Sequence, residues 1–221
     1  MNKTISIIRG NDNEKYEGFH QRVKEVVEKL AAENPLALHY TITLEKPPKV
    51  SLIPFLKGRI AMISIHDDRE FHDLLKDVDG YSGSFRVTEA LPRAYERNWE
   101  NRHPTPGVCL LTLFRQKKGI GYEKFIDRWH NGHTPFTLKV HPIYHYNRNV
   151  VEERFGNPPV DYDGIVEEHT HDKKTLLNPF RFFGKPWMAP VNMVRTYFDV
   201  NSFIDYKSIE TYLVREYHII G

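Results

Sequence analysis

The chain has 221 residues, 40% of them hydrophobic and 27% charged, which provides for one large core or for two domains of about 110 residues each. The formal net charge is only +2 and no Lys/Arg run is interleaved with aromatics, which argues against nucleic acid or an anionic membrane as a partner. The single cysteine, Cys109, excludes an intrachain disulfide; with no apolar stretch of signal-peptide or membrane-span length, the cytoplasm is the expected compartment.

Residues 5–9 read as a short apolar strand. Tyr16, Phe19, Val23, Val26, Val27 and Leu30 then mark one face of a long helix, with Asn11 and Asn13 available as caps. Leu38, Tyr40, Ile42 and Leu44 alternate with polar residues at strand period, and residues 60–65 form a third strand. Phe71, Leu74, Leu75 and Val78 predict a short helix, Phe85, Val87 and Glu89 a fourth strand, and residues 90–100 a polar, helix-like tail. The stretch Arg102-His103-Pro104-Thr105-Pro106-Gly107 is the best domain boundary, dividing the chain into residues 1–104 and 105–221.

The second half repeats that order. Residues 108–114 are apolar on both faces, as in a strand covered on each side, so Cys109 reads as a buried, inert thiol. A helix from Tyr122, strands over 143–151 and 162–170, a Pro-interrupted aromatic region over 176–197 and a closing strand over 211–220 follow. The fold class is therefore α+β, as two tandem ferredoxin-like βαββαβ modules whose sheets face each other. An apolar loop near residues 50–56 reads as a plug over one of those sheets.

Chemistry concentrates between residues 119 and 151. Tyr122, Phe125, Ile126 and Trp129 recur at helical spacing, and His133 lies on the same stripe one turn later. Pro135 biases Thr134 away from helical angles, so the helix should stop there with His133 on its last turn, either as a cap or as an acid–base group. In the next strand, alternation puts Tyr144, Tyr146 and Arg148 on one face and His145 and Asn149 on the other. Arg148 is a candidate anchor for an enolate or carboxylate, and Glu167 a candidate partner that raises the basicity of His133.

Glu167, His169 and His171 superficially form a two-His, one-carboxylate set. Alternate positions of one strand spread at ~3.3 Å per residue and do not converge unaided, so no metal is expected. Gly119-x-Gly121 is a turn rather than a phosphate loop, so no nucleotide cofactor is expected either.

An ordered set of pieces in residues 105–221 resembles the EthD domain family of the dimeric α/β-barrel superfamily. They are Leu110, Leu111 and Phe114-Arg115; Tyr122-Glu123-Lys124-Phe125 and Trp129; His133-Thr134-Pro135; Asp163-Gly164-Ile165-Val166-Glu167; and Phe203-Ile204-Asp205 with Glu216-Tyr217. The first half looks like a divergent copy. The resemblance implies a dimeric α/β-barrel fold, a homodimer, and a cleft between helix and sheet beside His133. Phe136 stands where similar sequences carry Leu, and His169 where they often carry an aromatic, which shifts the pocket's shape.

The expected function is an enzyme acting without metal, nucleotide or other cofactor on a small hydrophobic, cyclic or aromatic carbonyl compound. Dehydratase, cyclase, decarboxylase and isomerase chemistry all fit, as does cofactor-independent monooxygenation. His133 would move the proton, with Tyr144, Tyr146, Arg148 and Glu167 assisting, in a pocket walled by Trp129, Phe136, Phe183 and Trp187. The alternatives are a non-catalytic binding protein for such a ligand and a haem- or metal-dependent oxygenase.

Overall fold

Strand alternation decides which side chains face inward, and here it does so around a ring. A computed structural model describes residues 2–49, 51–156, 158–159 and 161–221. It begins with β1 (Lys3–Arg9), α1 (Tyr16–Ala32), β2 (Ala37–Ile42), β3 (Ile60–His66), a 3-10 turn (His72–Leu74) and β4 (Tyr81–Arg93). The second half runs β5 (Val108–Phe114), α2 (Tyr122–Asp127), a π-helical turn (Arg128–His133), α3 (Thr134–Val140), β6 (Ile143–Phe155) and β7 (Gly164–Thr170). Two short helices, α4 (Lys173–Leu177) and α5 (Pro179–Phe182), then α6 (Ala189–Phe203), a 3-10 turn (Tyr206–Ser208) and β8 (Glu210–Ile220) complete it.

The strands pair antiparallel throughout and close into a barrel in the order β1-β3-β2-β8-β5-β7-β6-β4. Around the ring each half contributes its fourth, first, third and second strand in turn, and the seams are β2–β8 and β4–β6. Closure removes the free strand edges that an open sheet presents.

Alternate residues build three cores. Ile5, Ile7, Met62, Phe85, Leu111, Leu113, Ile165 and Val214 fill the barrel. Phe19, Val23, Val27 and Leu30 of α1 pack on Leu38, Tyr40, Ala61 and Ile63 outside it. On the other side, Phe125, Trp129, Phe182 and Phe203 cover Leu110, Phe114, Val166 and Leu213. A strand apolar on both faces is thus explained by an antiparallel barrel with helices outside. Among the described residues, no helix is long and apolar enough to cross a membrane.

Two sequence expectations are corrected. The helix over residues 71–78 shrinks to one 3-10 turn: Leu74 is exposed, and Asp73, Asp77 and Asp79-Gly80 favour local turns over a helix. The polar tail from Ala90 is not helical. β4 runs on to Arg93 by pairing with β6, and Pro92, which has no N–H to give, sits where the register shifts between Ala90 and Arg93. The loop near residues 50–56 covers the sheet of the other half. Ile53 and Phe55 pack against the second-half core, and Leu56 N–H donates to Thr211 O over 2.9 Å; Val50 lies outside the described residues.

Candidate active site

The site starts from a helix that does not stop. Phe125 and Trp129 are buried, and the Trp129 ring meets Phe114 edge-on with centroids 4.9 Å apart. His133 (φ −64°, ψ −48°) and Thr134 (φ −58°, ψ −51°) keep helical angles, so the chain passes through Pro135 without a break. Proline lacks an N–H and its ring crowds the carbonyl four residues back, and a π turn absorbs both faults by widening the helix. Thr134 N–H bonds the Trp129 carbonyl five residues earlier, and its hydroxyl donates to the same oxygen over 2.9 Å. Arg148 fixes this turn: Nη1 donates to Thr134 Oγ1 over 3.0 Å, and the guanidinium lies 5.8 Å from the Trp129 ring centroid.

Beneath the turn lies a cavity of about 350 Å³. Its floor is the outer face of β5 and β7 (Leu110, Phe114, Val166), its walls are Trp129, Phe182, Phe183 and Val200, and Leu52, Ile53 and Pro54 of the first half reach over it. Among the polar side chains that line it are His133, Thr137, His141, Tyr146 and Glu168. A mostly apolar cavity with a few convergent polar groups is the usual form of a small-molecule site.

His133 Nδ1 lies 2.6 Å from Asp199 Oδ2 on α6, and Nε2 lies 3.1 Å from Thr137 Oγ1. A carboxylate only accepts, so Nδ1 carries a proton, and in the neutral ring Nε2 is the lone-pair nitrogen, receiving the Thr137 hydroxyl. The Tyr146 hydroxyl is buried and makes no hydrogen bond of good geometry among the described residues, with Trp129 and Thr134 beside it; burial outweighs them and holds its pKa well above the ordinary phenol value. His141 packs its ring on Phe182, 4.2 Å between centroids, and places Nδ1 3.7 Å from Glu168 Oε1. The arrangement can take a proton at His133 Nε2 and offer a hydroxyl proton at Tyr146.

The structure brings His133, Trp129, Tyr146 and Phe183 to this cavity, with Arg148 directly behind the turn. It separates the other candidates. The register shifts between Ile143 and His145, which turns Tyr144 from the Tyr146–Arg148 face towards the barrel mouth, where it stacks on His171 and bonds Pro106 O. Phe136 is half-buried and off the cavity lining, and Trp187 is 72% exposed. The expected pairing of His133 with Glu167 is corrected: Glu167 points into the barrel, on the opposite face of β7, and Asp199 takes its place. A one-residue step along a strand reverses the face, which is why Glu168, not Glu167, meets the cavity.

Sequence reading missed Asp199, Thr137, His141 and Glu168. Thr137 carried a signal, since it follows His133 by one helical turn. Asp199 carried a weaker one, a lone carboxylate within Tyr197-Phe198-Asp199-Val200.

No family model matches the chain, and no curated protein is significantly similar to it in sequence. Solved structures do resemble it. An anthrone oxidase-like protein is 10% identical with a TM-score of 0.57, over 100% of this chain and 91% of its own. A Fusobacterium nucleatum protein named "Putative monooxygenase" is 9% identical with a TM-score of 0.53, over 99% of this chain and 91% of its own. At such identities the likeness is one of fold alone, and it extends over both halves of the chain.

Proposed function

We propose that the chain is a single-chain member of the dimeric α/β-barrel superfamily, a divergent ferredoxin-like module (residues 1–104) fused in tandem to an EthD-like one (residues 105–221), and that it is an enzyme. The repeated order of strands around the ring supports the first part. Its substrate is a small hydrophobic, cyclic or aromatic carbonyl compound, held in the cavity between the second-half helices and the barrel. One observation carries this reading: a histidine at the cavity, oriented through Nδ1 by a carboxylate at 2.6 Å, leaves Nε2 to act as the base.

The proposed step is removal of an acidic proton from the substrate by His133 Nε2. The charge that develops on the carbonyl oxygen is met by the unpartnered Tyr146 hydroxyl, which is desolvated and already in place. Thr137 must release Nε2 as the substrate enters. Arg148 serves the turn that carries His133, and Trp129 and Phe183 supply apolar walls. Dehydration, cyclisation, decarboxylation, isomerisation and monooxygenation all pass through such an enolate or phenolate. Anthrone, taken from the name of one structural neighbour, is the natural first probe, because its ring methylene is acidified by a conjugated carbonyl.

The test is exchange of that methylene for deuterium in heavy water, followed by NMR, with product analysis alongside. Exchange that depends on His133 supports the reading. A cavity that binds aromatic ketones with no exchange and no turnover replaces it with the non-catalytic binding protein.

A further inference from the structure

We propose that the polar end of the barrel interior binds one divalent first-row transition-metal ion through His39, Glu167 and Glu216. This site is on the other side of the sheet from the cavity beside His133 and does not rest on the function proposed for it.

The three residues come from β2, β7 and β8, and their donor atoms lie within 4.8 Å of one another. They are 7%, 0% and 3% exposed. Both oxygens of Glu167 and Nε2 of His39 lack a hydrogen-bond partner among the described residues. Buried polar atoms are nearly always paired, so orphaned atoms on two of three residues whose donor atoms lie within 4.8 Å of one another point to a missing ligand. Charge says which kind. Two buried carboxylates this close repel when both are ionised; a proton on one of them or a cation between them relieves that, and the two charges together balance a divalent ion. The nearby ammonium is already engaged: Lys3 Nζ binds Glu89 Oε1 at 2.6 Å, and His66 and Asn147 complete that group's bonds.

Donor chemistry narrows the ion. One imidazole and two carboxylates suit zinc, iron(II), cobalt or manganese. Glu216 is braced for that role, since Oε2 accepts from Thr105 Oγ1 at 2.6 Å and from Tyr95 OH at 3.1 Å. Cys109 and His169 form a second trio with Glu167 at the same spacing. It is the weaker set, because its thiol must first lose a proton to balance the ion's charge.

Chelator-treated full-length protein titrated with Co²⁺ alone is expected to bind one ion per chain, to develop visible d–d absorption, and to melt at a higher temperature with the ion than without it. Glu167→Gln and His39→Gln should each weaken Co²⁺ binding by more than ~10-fold, the lower end of what losing a mere supporting residue costs. Unchanged circular dichroism for His39→Gln would assign that loss to the ligand and not to the fold. His133→Ala should leave Co²⁺ binding as it is. No Co²⁺ or Zn²⁺ binding by folded protein at millimolar concentration would overturn the proposal, as would binding indifferent to Glu167→Gln. A thiolate-to-cobalt charge-transfer band would also overturn this ligand set, in favour of Cys109.

Discussion

At the scale of single residues, the hydroxyl of Tyr146 separates a working site from an ordinary core. Buried and unpartnered, it costs stability where it stands, so Tyr146→Phe should leave the folded state unchanged or raise its stability by up to ~1 kcal/mol in urea denaturation. The same substitution should lower turnover by ~10²–10³-fold, the effect of removing one oxyanion donor. A structural tyrosine would not show the loss of turnover. His133→Ala should lower turnover by ~10²–10⁴-fold with circular dichroism unchanged. Asp199→Asn replaces a group that only accepts by an amide that can donate to Nδ1 and impose the other tautomer, so its activity should fall in the same direction without unfolding.

Among elements, β7 and the helix above it depend on one missing methyl group. Gly164 opens β7, and a Cβ there would lie 2.7 Å from Trp129 Cη2 and closer still to the Phe114 ring. Gly164→Ala should therefore destabilise by ~1–3 kcal/mol, the usual cost of overpacking a filled core, read as a lower denaturation midpoint. The π turn is the second dependence. Each residue of helical register is about 100° of rotation, so the extra residue in that turn sets which way His133 faces relative to Trp129. Arg148→Met should loosen the turn and lower turnover while leaving the cavity walls in place.

Across the whole molecule, the barrel closes within one chain, and its two ends differ. One end holds the polar cluster around Glu167. The other is spanned by Arg9, which donates to Tyr212 at 2.7 Å, to Tyr162 at 2.6 Å and to Glu210 at 2.9 Å, joining β1 to β8 across the mouth. Burial alone would raise the pKa of Glu210, but the bonds from Tyr162, Tyr212 and Arg9 outweigh it and hold that carboxyl below its ordinary value. A carboxyl lower in the folded than in the unfolded state contributes stability above the unfolded value of ~4.3, and that contribution is lost as pH falls through the folded value. Glu210→Gln should thus lower stability near neutrality and flatten its fall in acid, measured by urea midpoints between about pH 3 and 7. Because the seams are internal, the homodimer expected from the resemblance would have to use an outer surface. α6 leaves Val191, Val194 and Phe198 exposed along one face. A sedimentation mass twice the 26.1 kDa of the chain is expected, and the single-chain mass would reject it.

The sequence by itself determined the eight strands, α1, the repeated order of the halves and the inward stripe of Phe125 and Trp129, because period and turn chemistry are local. It also placed Tyr146 and Arg148 together and His145 opposite them, since alternation within a strand is local too. Its errors fall where a neighbour intervenes. The π turn at Pro135 depends on Thr134 and Arg148, the displacement of Tyr144 on a register shift against β7, and the partner of His133 on α6, 66 residues away. Glu167 shows the limit most plainly. Its alternation with Glu168 was legible, but whether its side of the sheet meets water, helices or a closed interior is set by strands from both halves coming together. Only closure of the ring turned His39, Glu167 and Glu216 from polar residues on three separate strands into one buried cluster.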